Sequence, residues 1–445
     1  MSTLDKKLRI AIVGGGIGGL SFAVALSKSG ADFDVDIYES AQCFSEIGAG
    51  IGMWPRVSRT LQSLGLEEDL KKAGSTTWDD TLFTYYKSDE VPAVSFGAAD
   101  SSIRAYHRAD FLKVLETHIS EQYKTHFGKR IATYEDDPTS PIVIHFTDGT
   151  TATCDVLVGT DGVKSAVRKT LFTHLADQEG DSSKAEMLRK CVVPTWCGLV
   201  MYRALIPTED LKAAYPDHFV ISSPRYFFGK HQSALTYPIQ EGRKVNFAAL
   251  VFSSGCRDTV YDGPWVSQVH QGELTGLYEH WDPRLTTLLK SIDSPLKWVV
   301  NEVRNLPTFV SGRVAILGDA AHSMMPTLAS GAGQAIEDAV ILADVLSHAQ
   351  THHIAIERAL KVYDEIRRPF SQQVQQWSFE AGQSIWLEGS QMQKYSAEDS
   401  SMGRIPHDEL ETVLRVDTFG KYHWVWQTTL TPDRELAIEK LRVVT

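Results

Sequence analysis

The spacing of hydrophobic residues near the beginning of the chain changes from that of a strand to that of a helix and back. Residues 8–13 form an apolar run of strand length, and residues 20–26 carry apolar side chains at helical spacing. The glycine-rich residues 14–19 separate these stretches, and a second run of strand length follows at 33–38. This order predicts a strand, a tight turn, a helix and a second strand, which together begin a parallel α/β sheet.

Two later stretches predict further strands of the same kind. Residues 156–158 and 314–317 are short and apolar throughout, which is typical of strands that are buried on both faces. Each run leads into a glycine and an aspartate, Asp161 after the first and Asp319 after the second. Apolar residues at helical spacing predict four helices, at 56–64, 111–121, 334–347 and 357–395.

Alternating polar and apolar positions mark a second region of the chain. Residues 78–96 and most of residues 192–301 alternate in this way, which predicts antiparallel strands. Residues 142–154 predict a hairpin that turns at Asp148-Gly149, and the polar residues 176–190 predict a mobile surface loop. We therefore expect two interleaved domains and a tail.

Composition narrows the class of protein. The chain has 445 residues, of which 43% are hydrophobic and 22% charged, with a net charge of −12. This acidic balance argues against a nucleic-acid or anionic-membrane partner, and no apolar run approaches membrane-spanning length. The five scattered cysteines fit a reducing compartment, so we expect a cytoplasmic protein, and the sequence has no cluster of metal-ligand residues.

The glycine-rich turn has the spacing of a dinucleotide-binding motif. Gly14, Gly16 and Gly19 satisfy G-x-G-x-x-G between a predicted strand and a predicted helix. The first allows the tight turn, the second lets a pyrophosphate approach the backbone, and the third lets the helix pack closely on the sheet. Glu39 ends the second strand, where its carboxylate can accept hydrogen bonds from the hydroxyls of an adenosine ribose. The sequence therefore predicts an ADP-binding βαβ unit.

Other candidate residues have two interpretations each. Gly52 belongs to a second glycine-rich stretch, which either passes close to a flat ligand or is an ordinary loop. Arg108, beside a predicted helix start, either pairs with a phosphate or forms a salt bridge with Asp110 or Glu39. Gly331 and Gly333 precede a predicted helix, whose N-terminal dipole favours a ligand that gains negative charge.

Two residues of the β region are candidates for contact with a substrate. Arg203 shares a strand face with apolar residues, where a guanidinium needs an anion or several acceptors because burying it unpaired is costly. Tyr237 also shares a face with apolar residues, a position at which a tyrosine is more often part of the core or its rim.

The N-terminal glycine motif with Glu39, the Asp161-Gly162 stretch and the Gly318-Asp319 stretch together resemble the class A flavoprotein monooxygenases, which have the para-hydroxybenzoate hydroxylase fold. Within this family the chain resembles the salicylate hydroxylase-like group, through the stretches EIGAGIGMWP, HRADFL, DVLVGTDGVKSAVR and GRVAILGDAAHSMMPTLASGAGQAIEDA. The resemblance extends over roughly residues 8–370. The middle β region and the tail look like those of fungal members, some of which hydroxylate or dearomatise polyketide-derived phenols.

The resemblance implies an α/β fold in which a Rossmann-like FAD-binding domain (GR2-type) is interleaved with a mostly antiparallel β substrate domain, followed by C-terminal helices. The FAD-binding domain would comprise residues 1–77, 104–190 and 302–370, the substrate domain residues 78–103 and 191–301, and the helical segment residues 371–445.

The resemblance also implies which residues bind the cofactor. Gly14, Gly16, Gly19 and Glu39 would hold the ADP half of FAD, and Arg108 would contact its phosphates. Asp161 would support the flavin and the approach of the nicotinamide, and Asp319 would bind the ribityl or pyrophosphate part. The residues that would lie against the isoalloxazine are Gly52, Pro326, Gly331, Ala332 and Gly333.

The implied activity is hydroxylation of an electron-rich phenolic ring, salicylate-like or polyketide-derived, through a flavin C4a-hydroperoxide, with decarboxylation or dearomatisation left open. FAD would be the cofactor, O2 and transiently docked NADPH or NADH the co-substrates, and Arg203 and Tyr237 the catalytic residues. His107 and His322 are candidates for moving protons or for structural roles. A homodimer and a monomer both remain open.

Three other functions of the same fold are alternatives. A halogenase would carry a W-x-W-x-I-P stretch before the middle β region, whereas the W-x-W of this chain lies in the tail, at 424–426. An oxidase would release only peroxide. A non-catalytic member would purify without flavin, which the acids Glu39, Asp161 and Asp319 argue against.

Overall fold

The computed structural model describes residues 7–44, 50–73, 76–77, 83–99, 103–303, 305–352 and 354–442. The strands are β1 Leu8–Val13, β2 Phe33–Tyr38, β3 Gly50–Met53, β4 Thr76–Thr77, β5 Phe83–Lys87, β6 Val94–Ala99, β7 Arg104–His107, β8 Lys124–His126, β9 Ile131–Glu135, β10 Ile142–Phe146, β11 Thr151–Cys154, β12 Val156–Gly159, β13 Thr195–Pro207, β14 Arg225–Gly229, β15 Gln232–Ile239, β16 Lys244–Phe252, β17 Val266–Gln268, β18 Leu296–Glu302, β19 Val310–Ser311 and β20 Val314–Ile316.

The helices are α1 Ile17–Lys28, α2 Pro55–Ser63, α3 Glu67–Lys72, α4 Arg108–Thr117, α5 Ala166–Gln178, α6 Ser182–Lys190, α7 Thr208–Ala214, α8 Gln271–Leu277, α9 Pro283–Leu289, α10 Asp319–His322, α11 Gly331–His352, α12 Ile356–Ile385, α13 Ala397–Ser401, α14 His407–Thr412, α15 His423–Gln427 and α16 Thr431–Arg442. Short 3-10 helices lie at Phe219–Ile221, Pro326–Leu328 and Phe419–Tyr422, and a π-helical segment lies at Val413–Thr418.

A six-stranded sheet organises the α/β part of the molecule. Its strand order is β19-β20-β12-β1-β2-β8, and all neighbours are parallel except the β19–β20 pair. The central strand β1 is buried along residues 10–13, and its helix α1 packs against α11. Because parallel strands end at the same edge, the turns after β1, β2, β12 and β20 meet there.

An eight-stranded sheet forms the second layer. Its order is β17-β18-β13-β16-β15-β14-β5-β6, and its neighbours are antiparallel apart from the β14–β5 pair. The strands β5 and β6, which come from a much earlier part of the chain, therefore complete a sheet that consists otherwise of residues 195–302. Within the described residues, the predicted β region forms this sheet, from 83 to 99 and from 195 to 302, whereas residues 78–82 of the prediction lie outside the described residues.

Several helical elements differ from the sequence-based expectations. Residues 176–190 are not a loop, because they form the end of α5 and all of α6, whose first turn is capped by the carboxylate of Asp181. Helix α11 begins at Gly331 and not at 334, so the two glycines lie inside its first turn. Helix α12 ends at Ile385, earlier than the expected 395.

The last described segment returns to the α/β part. Residues 413–427 lie against α12 and α2, and α16 packs on α11 and α12. Within the described ranges, no helix is both long and apolar enough to cross a membrane. The same ranges hold no group of three or more side chains suited to ligate a metal ion.

Candidate active site

Two cavities meet at the edge of the six-stranded sheet where its strands end. A groove of about 500 Å³ runs along the turn after β1, and a deeper cavity of about 660 Å³ lies between this turn region and the eight-stranded sheet. Five residues line both, namely Ile51, Arg108, Asp319, Gly331 and Ala332. The two spaces therefore form one continuous site with a junction in the middle.

The turn after β1 has the geometry that the glycine motif requires. Gly14 has φ of +112°, and a Cβ there would lie 2.4 Å from the carbonyl oxygen of Thr160. Gly14 and Gly16 line the groove, whereas Gly19 lies behind it in α1, where a Cβ would be 2.0 Å from the carbonyl oxygen of Gly14. Gly19 thus serves the close packing of the turn on its helix.

Glu39 lies at the end of β2, beside this turn. Its carboxylate accepts hydrogen bonds from the backbone N–H groups of Gly15 and Ala41, each at 2.7 Å. These bonds hold the side chain in the groove wall. The Ser40 hydroxyl donates a third hydrogen bond to the carboxylate at 3.1 Å. Because a carboxylate has about four lone-pair sites, one remains to accept a ribose hydroxyl.

Asp161 also lines the groove, but its carboxylate is turned toward its own chain. It accepts hydrogen bonds from Ser165 Oγ at 2.5 Å and from the N–H groups of Ala166 and Val167 at 2.7 and 3.1 Å. Burial raises the pKa of this carboxyl, and the hydrogen bonds oppose that effect. Asp161 therefore satisfies the first turn of α5, and its contact with a cofactor stays a prediction.

Opposite charges meet at the junction of the two cavities. Arg108 begins α4, and Asp319 is exposed in the first turn of α10. Burial lowers the pKa of Arg108, the charge of Asp319 raises it, and the nearby Arg203 lowers it further. The junction thus carries two guanidinium groups and one accessible carboxylate, which suits a ligand with both anionic and hydroxyl groups.

The start of α11 forms the opposite wall of the junction. Gly331 and Ala332 line both cavities, and Pro326 and Gly52 line the deeper one. Gly333 lines neither cavity, because a Cβ at this position would lie 2.6 Å from Cγ2 of Val57 in α2. Gly333 therefore serves the close packing of α11 on α2, and its contact with a ligand stays a prediction.

Arg203 and Tyr237 come together on the floor of the deeper cavity, beneath β3. Nη2 of Arg203 lies 3.5 Å from the carbonyl oxygen of Gly50. The Tyr237 hydroxyl packs against the same glycine, because a Cβ added to Gly50 would lie only 2.6 Å from the hydroxyl oxygen. Asn246 completes the group, since its Oδ1 accepts the N–H of Gly50 at 3.1 Å. Burial lowers the pKa of Arg203 and raises that of Tyr237 to about 12.

The two histidines have different surroundings. His322 is fully buried, and its Nε2 lies 2.5 Å from Oδ2 of Asp338, away from both cavities. This contact belongs to an ion network inside the α/β part, so the structural interpretation holds for His322. Nδ1 of His107 lies 3.5 Å from Asp110, and His107 lines neither cavity.

The tail supplies a wall that sequence reasoning did not find. Its residues at the cavity are Phe419, Tyr422, His423, Trp426 and Gln427. The rings of Tyr422 and Trp426 lie 5.0 and 5.5 Å from that of Trp54, which itself lines the cavity. Trp424 packs elsewhere, against Phe370. The density of aromatic residues in the tail was the available signal for this wall.

The residues present fit a long dinucleotide. The groove offers the amides at the start of α1 to a pyrophosphate and Glu39 to a ribose, and the junction offers the amides at the start of α11 to a flat ring. Backbone amides at a helix start favour a ring that becomes negatively charged. The continuity of groove and cavity places such a ring at the entrance to the space over Arg203.

Comparisons with known proteins agree with this geometry. A family model described as FAD binding domain matches residues 7–203 and 285–378. The chain is 32% identical to a salicylate hydroxylase of Pseudomonas putida, with 98% of this chain and 95% of the relative covered. It is 31% identical to 6-methylsalicylate 1-monooxygenase of Aspergillus terreus, with 84% of this chain and 82% of the relative covered.

A solved structure extends the likeness to three dimensions. The substrate complex of a salicylate hydroxylase superimposes with a TM-score of 0.79 at 28% identity, and the match covers 97% of this chain and 98% of that one. The predicted fold class and the predicted cofactor are thereby confirmed. The chain belongs to the class A FAD-dependent monooxygenases, the family of salicylate hydroxylase, and is a flavoprotein aromatic hydroxylase.

Proposed function

We propose that this enzyme uses NAD(P)H and O2 to hydroxylate a phenolic ring that carries an anionic substituent, with salicylates as the reference class. The observation that carries the proposal is the placement of Arg203 beside Tyr237 on the cavity floor, next to the junction. The names of relatives that act on salicylate and 6-methylsalicylate support the same class.

Arg203 supplies the positive charge that would hold the substrate. Among the described residues, no carboxylate pairs with its guanidinium, and its one hydrogen bond, to the carbonyl of Gly50, is long at 3.5 Å. A partly buried charge in this state is costly, and a bound anion removes the cost. A substrate carboxylate or phenolate is such an anion, because either can form charge-assisted hydrogen bonds with the guanidinium.

Tyr237 acts as a neutral hydrogen-bond donor in this proposal. Its pKa of about 12, raised by burial, keeps the phenol protonated at neutral pH, although the charge of Arg203 works in the opposite direction. A protonated phenol and a guanidinium together stabilise a substrate oxygen as its anion. An ionised hydroxyl makes the ring electron-rich, which is the state that an electrophilic oxygen donor needs.

FAD supplies, when bound, the activation of O2 after reduction by NAD(P)H. The chain provides the surroundings for that chemistry. The amides at the start of α11 face the junction and favour negative charge there. The aromatic wall of Trp54, Tyr422 and Trp426 limits the access of water, so that the activated oxygen reacts with the ring.

The test is aerobic consumption of NADPH and of NADH with a panel of salicylates, resorcinols and simple phenols, scored for hydroxylated product and for peroxide. We expect salicylates to stimulate consumption and to give product in proportion to it. Consumption that no ring compound stimulates, with peroxide as its only product, would replace this proposal with an oxidase activity. The Arg203→Met variant serves as the matched control, because it retains the cavity and removes the charge.

A further inference from the structure

We infer that the substrate carries an apolar substituent, which extends from its phenolic ring along the floor of the deeper cavity to a distal aromatic subsite. This subsite is defined by Tyr85, Tyr226 and Phe419. The inference rests on the proposed function, since it assumes that the anionic end of the substrate lies at Arg203. It adds the part of the substrate that Arg203 does not contact.

In the eight-stranded sheet, residues that pair across neighbouring strands form a row that leads from Arg203 to this subsite. Arg203 pairs with Ala248, Ala248 with Leu235, Leu235 with Tyr226, and Tyr226 with Tyr85. All five residues line the cavity. Neighbouring strands are about 4.8 Å apart, so the four steps of the row span about 19 Å.

The chemistry changes along the row. Its Arg203 end is polar, with Tyr237 and Asn246 two residues along the neighbouring strands. Beyond Ala248 the floor is apolar, and Met201 and Leu250 flank it on the next row. A ligand that matches the whole row therefore has one anionic end and one apolar end.

The distal subsite is closed by stacked rings. Tyr85 and Tyr226 stack with ring centroids 5.1 Å apart, and Phe419 meets Tyr85 edge-on at 4.8 Å. Tyr422 donates its hydroxyl proton to the carbonyl of Thr327 at 2.8 Å, so the adjoining part of the tail is fixed over the same end of the cavity. Aromatic walls of this kind suit an alkyl chain or a second ring.

A monocyclic phenolic acid does not fill this space. A single ring with one carboxylate covers about two of the four strand spacings, measured from Arg203. Such a substrate leaves the rest of the cavity floor, from Leu235 to Tyr85, uncovered. An apolar substituent at the ring position opposite the guanidinium covers it and gains the free energy of removing apolar surface from water.

The experiment measures binding, so that it does not depend on turnover. The flavin-loaded enzyme is titrated, without O2, with salicylate and with salicylates that carry methyl, propyl, pentyl and heptyl chains at ring position 4, para to the carboxylate, and the flavin absorbance reports binding. We expect Kd to fall by up to about fourfold for each added methylene until the chain reaches the distal subsite, the change expected for burying one CH2 group.

A variant that blocks the row tests where the chain lies. Leu235→Trp places a large ring between the polar end and the distal subsite, and we expect the ratio of Kd for salicylate to Kd for heptylsalicylate to collapse toward one. The control is Leu436→Phe, at an exposed position of α16 far from the cavity, which should keep the wild-type ratio.

The outcomes separate the two proposals. Salicylate that binds and is hydroxylated, with Kd that stays flat or rises as the chain grows, would overturn the distal subsite and leave the proposed function intact. A chain-length dependence that survives in Leu235→Trp would show that the chain lies elsewhere and would also overturn the subsite. If no member of the series binds or is hydroxylated, both proposals are wrong.

Discussion

Replacing Arg203 should separate substrate binding from folding, because its guanidinium is poorly satisfied by the protein itself. The matched comparison is Arg168, which is fully buried in α5. Arg168 donates to the carbonyl oxygens of Ala320 and Val163 at 2.9 and 2.6 Å, whereas Arg203 makes one bond of 3.5 Å with the residues that the structure describes. Burial lowers the pKa of both groups, that of Arg168 to about 10.

Arg168→Met and Arg203→Met should differ in their effects on stability and on substrate affinity. Arg168→Met leaves two buried carbonyls without donors, which costs about 1–3 kcal/mol for each. Arg203→Met removes a desolvated charge and leaves little unsatisfied, so the midpoint of thermal unfolding should stay the same or rise. A charge-assisted hydrogen bond to a substrate carboxylate is worth about 1.5–3 kcal/mol, so Kd for salicylate should rise about 12- to 150-fold.

The assay combines thermal unfolding of the flavin-loaded proteins with titrations of salicylate and of phenol, which lacks the carboxylate. Arg203→Met should lose much more affinity for salicylate than for phenol, with its unfolding midpoint preserved, while Arg168→Met should unfold at lower temperature. Equal losses for both ligands, or an unfolding midpoint that falls as far as that of Arg168→Met, would assign Arg203 a structural role and refute the reasoning.

Three further changes test the cofactor site and its support. Gly14→Ala should abolish flavin binding and lower stability, since its Cβ would lie 2.4 Å from the Thr160 carbonyl at a φ of +112°; flavin content and unfolding temperature check this. Asp319→Ala should purify with a lower flavin-to-protein ratio and regain flavin poorly on dialysis against FAD. Burial tends to raise the pKa of Asp338, but His322 and Arg367 outweigh it and hold the pKa at about 2. Its contribution is therefore complete above about pH 4 and lost as the pH falls toward 2, so the stability difference between wild type and Asp338→Asn should shrink over that range in denaturant titrations.

The nucleotide half of the site was predictable because its information is local. Gly14, Gly16 and Glu39 lie within one βαβ unit, and the backbone conformation of a tight turn and the end of a strand determine where they go. The packing role of Gly333 was not visible, because it depends on Val57, which lies in a different helix. A glycine in a sequence pattern indicates that another group packs closely against the backbone, but it does not indicate whether that group is a ligand or a side chain of the protein.

The helix α6 shows a different limit. Six of its nine residues are polar, and Ala185 is the one that is buried, so the hydrophobic pattern was too weak to indicate a helix. The available signal was the cap, since Asp181 precedes a run of good helix formers and accepts the N–H groups of Ser183 and Lys184. Capping residues deserve the same weight as apolar spacing where a segment lies on the surface.

The substrate half depends on long-range register and could not be read from any one segment. The row from Arg203 to Tyr85 requires strands from two distant parts of the chain to pair with one another. A shift of one residue in any of these pairings would turn a side chain of the row to the other face of the sheet. Alternation predicted that Arg203 faces inward with apolar residues, but only the strand order shows which aromatic residues share its floor.

The tail and the flavin-facing helix are fixed to one another by a single buried network. Arg56, which is 3% exposed, donates to Glu337 of α11 at 2.7 Å and to Asp433 of α16 at 2.8 Å. Glu337 also accepts from Arg367, whose Nε donates to Asp338 at 2.8 Å. Because buried charges tolerate no loss of a partner, the tail cannot shift without disturbing the helix whose start lines the junction. The network therefore connects the segment that lines the deeper cavity with the helix whose first turn lines the junction, and under the proposed function this connection serves to aim one ring carbon at the activated oxygen.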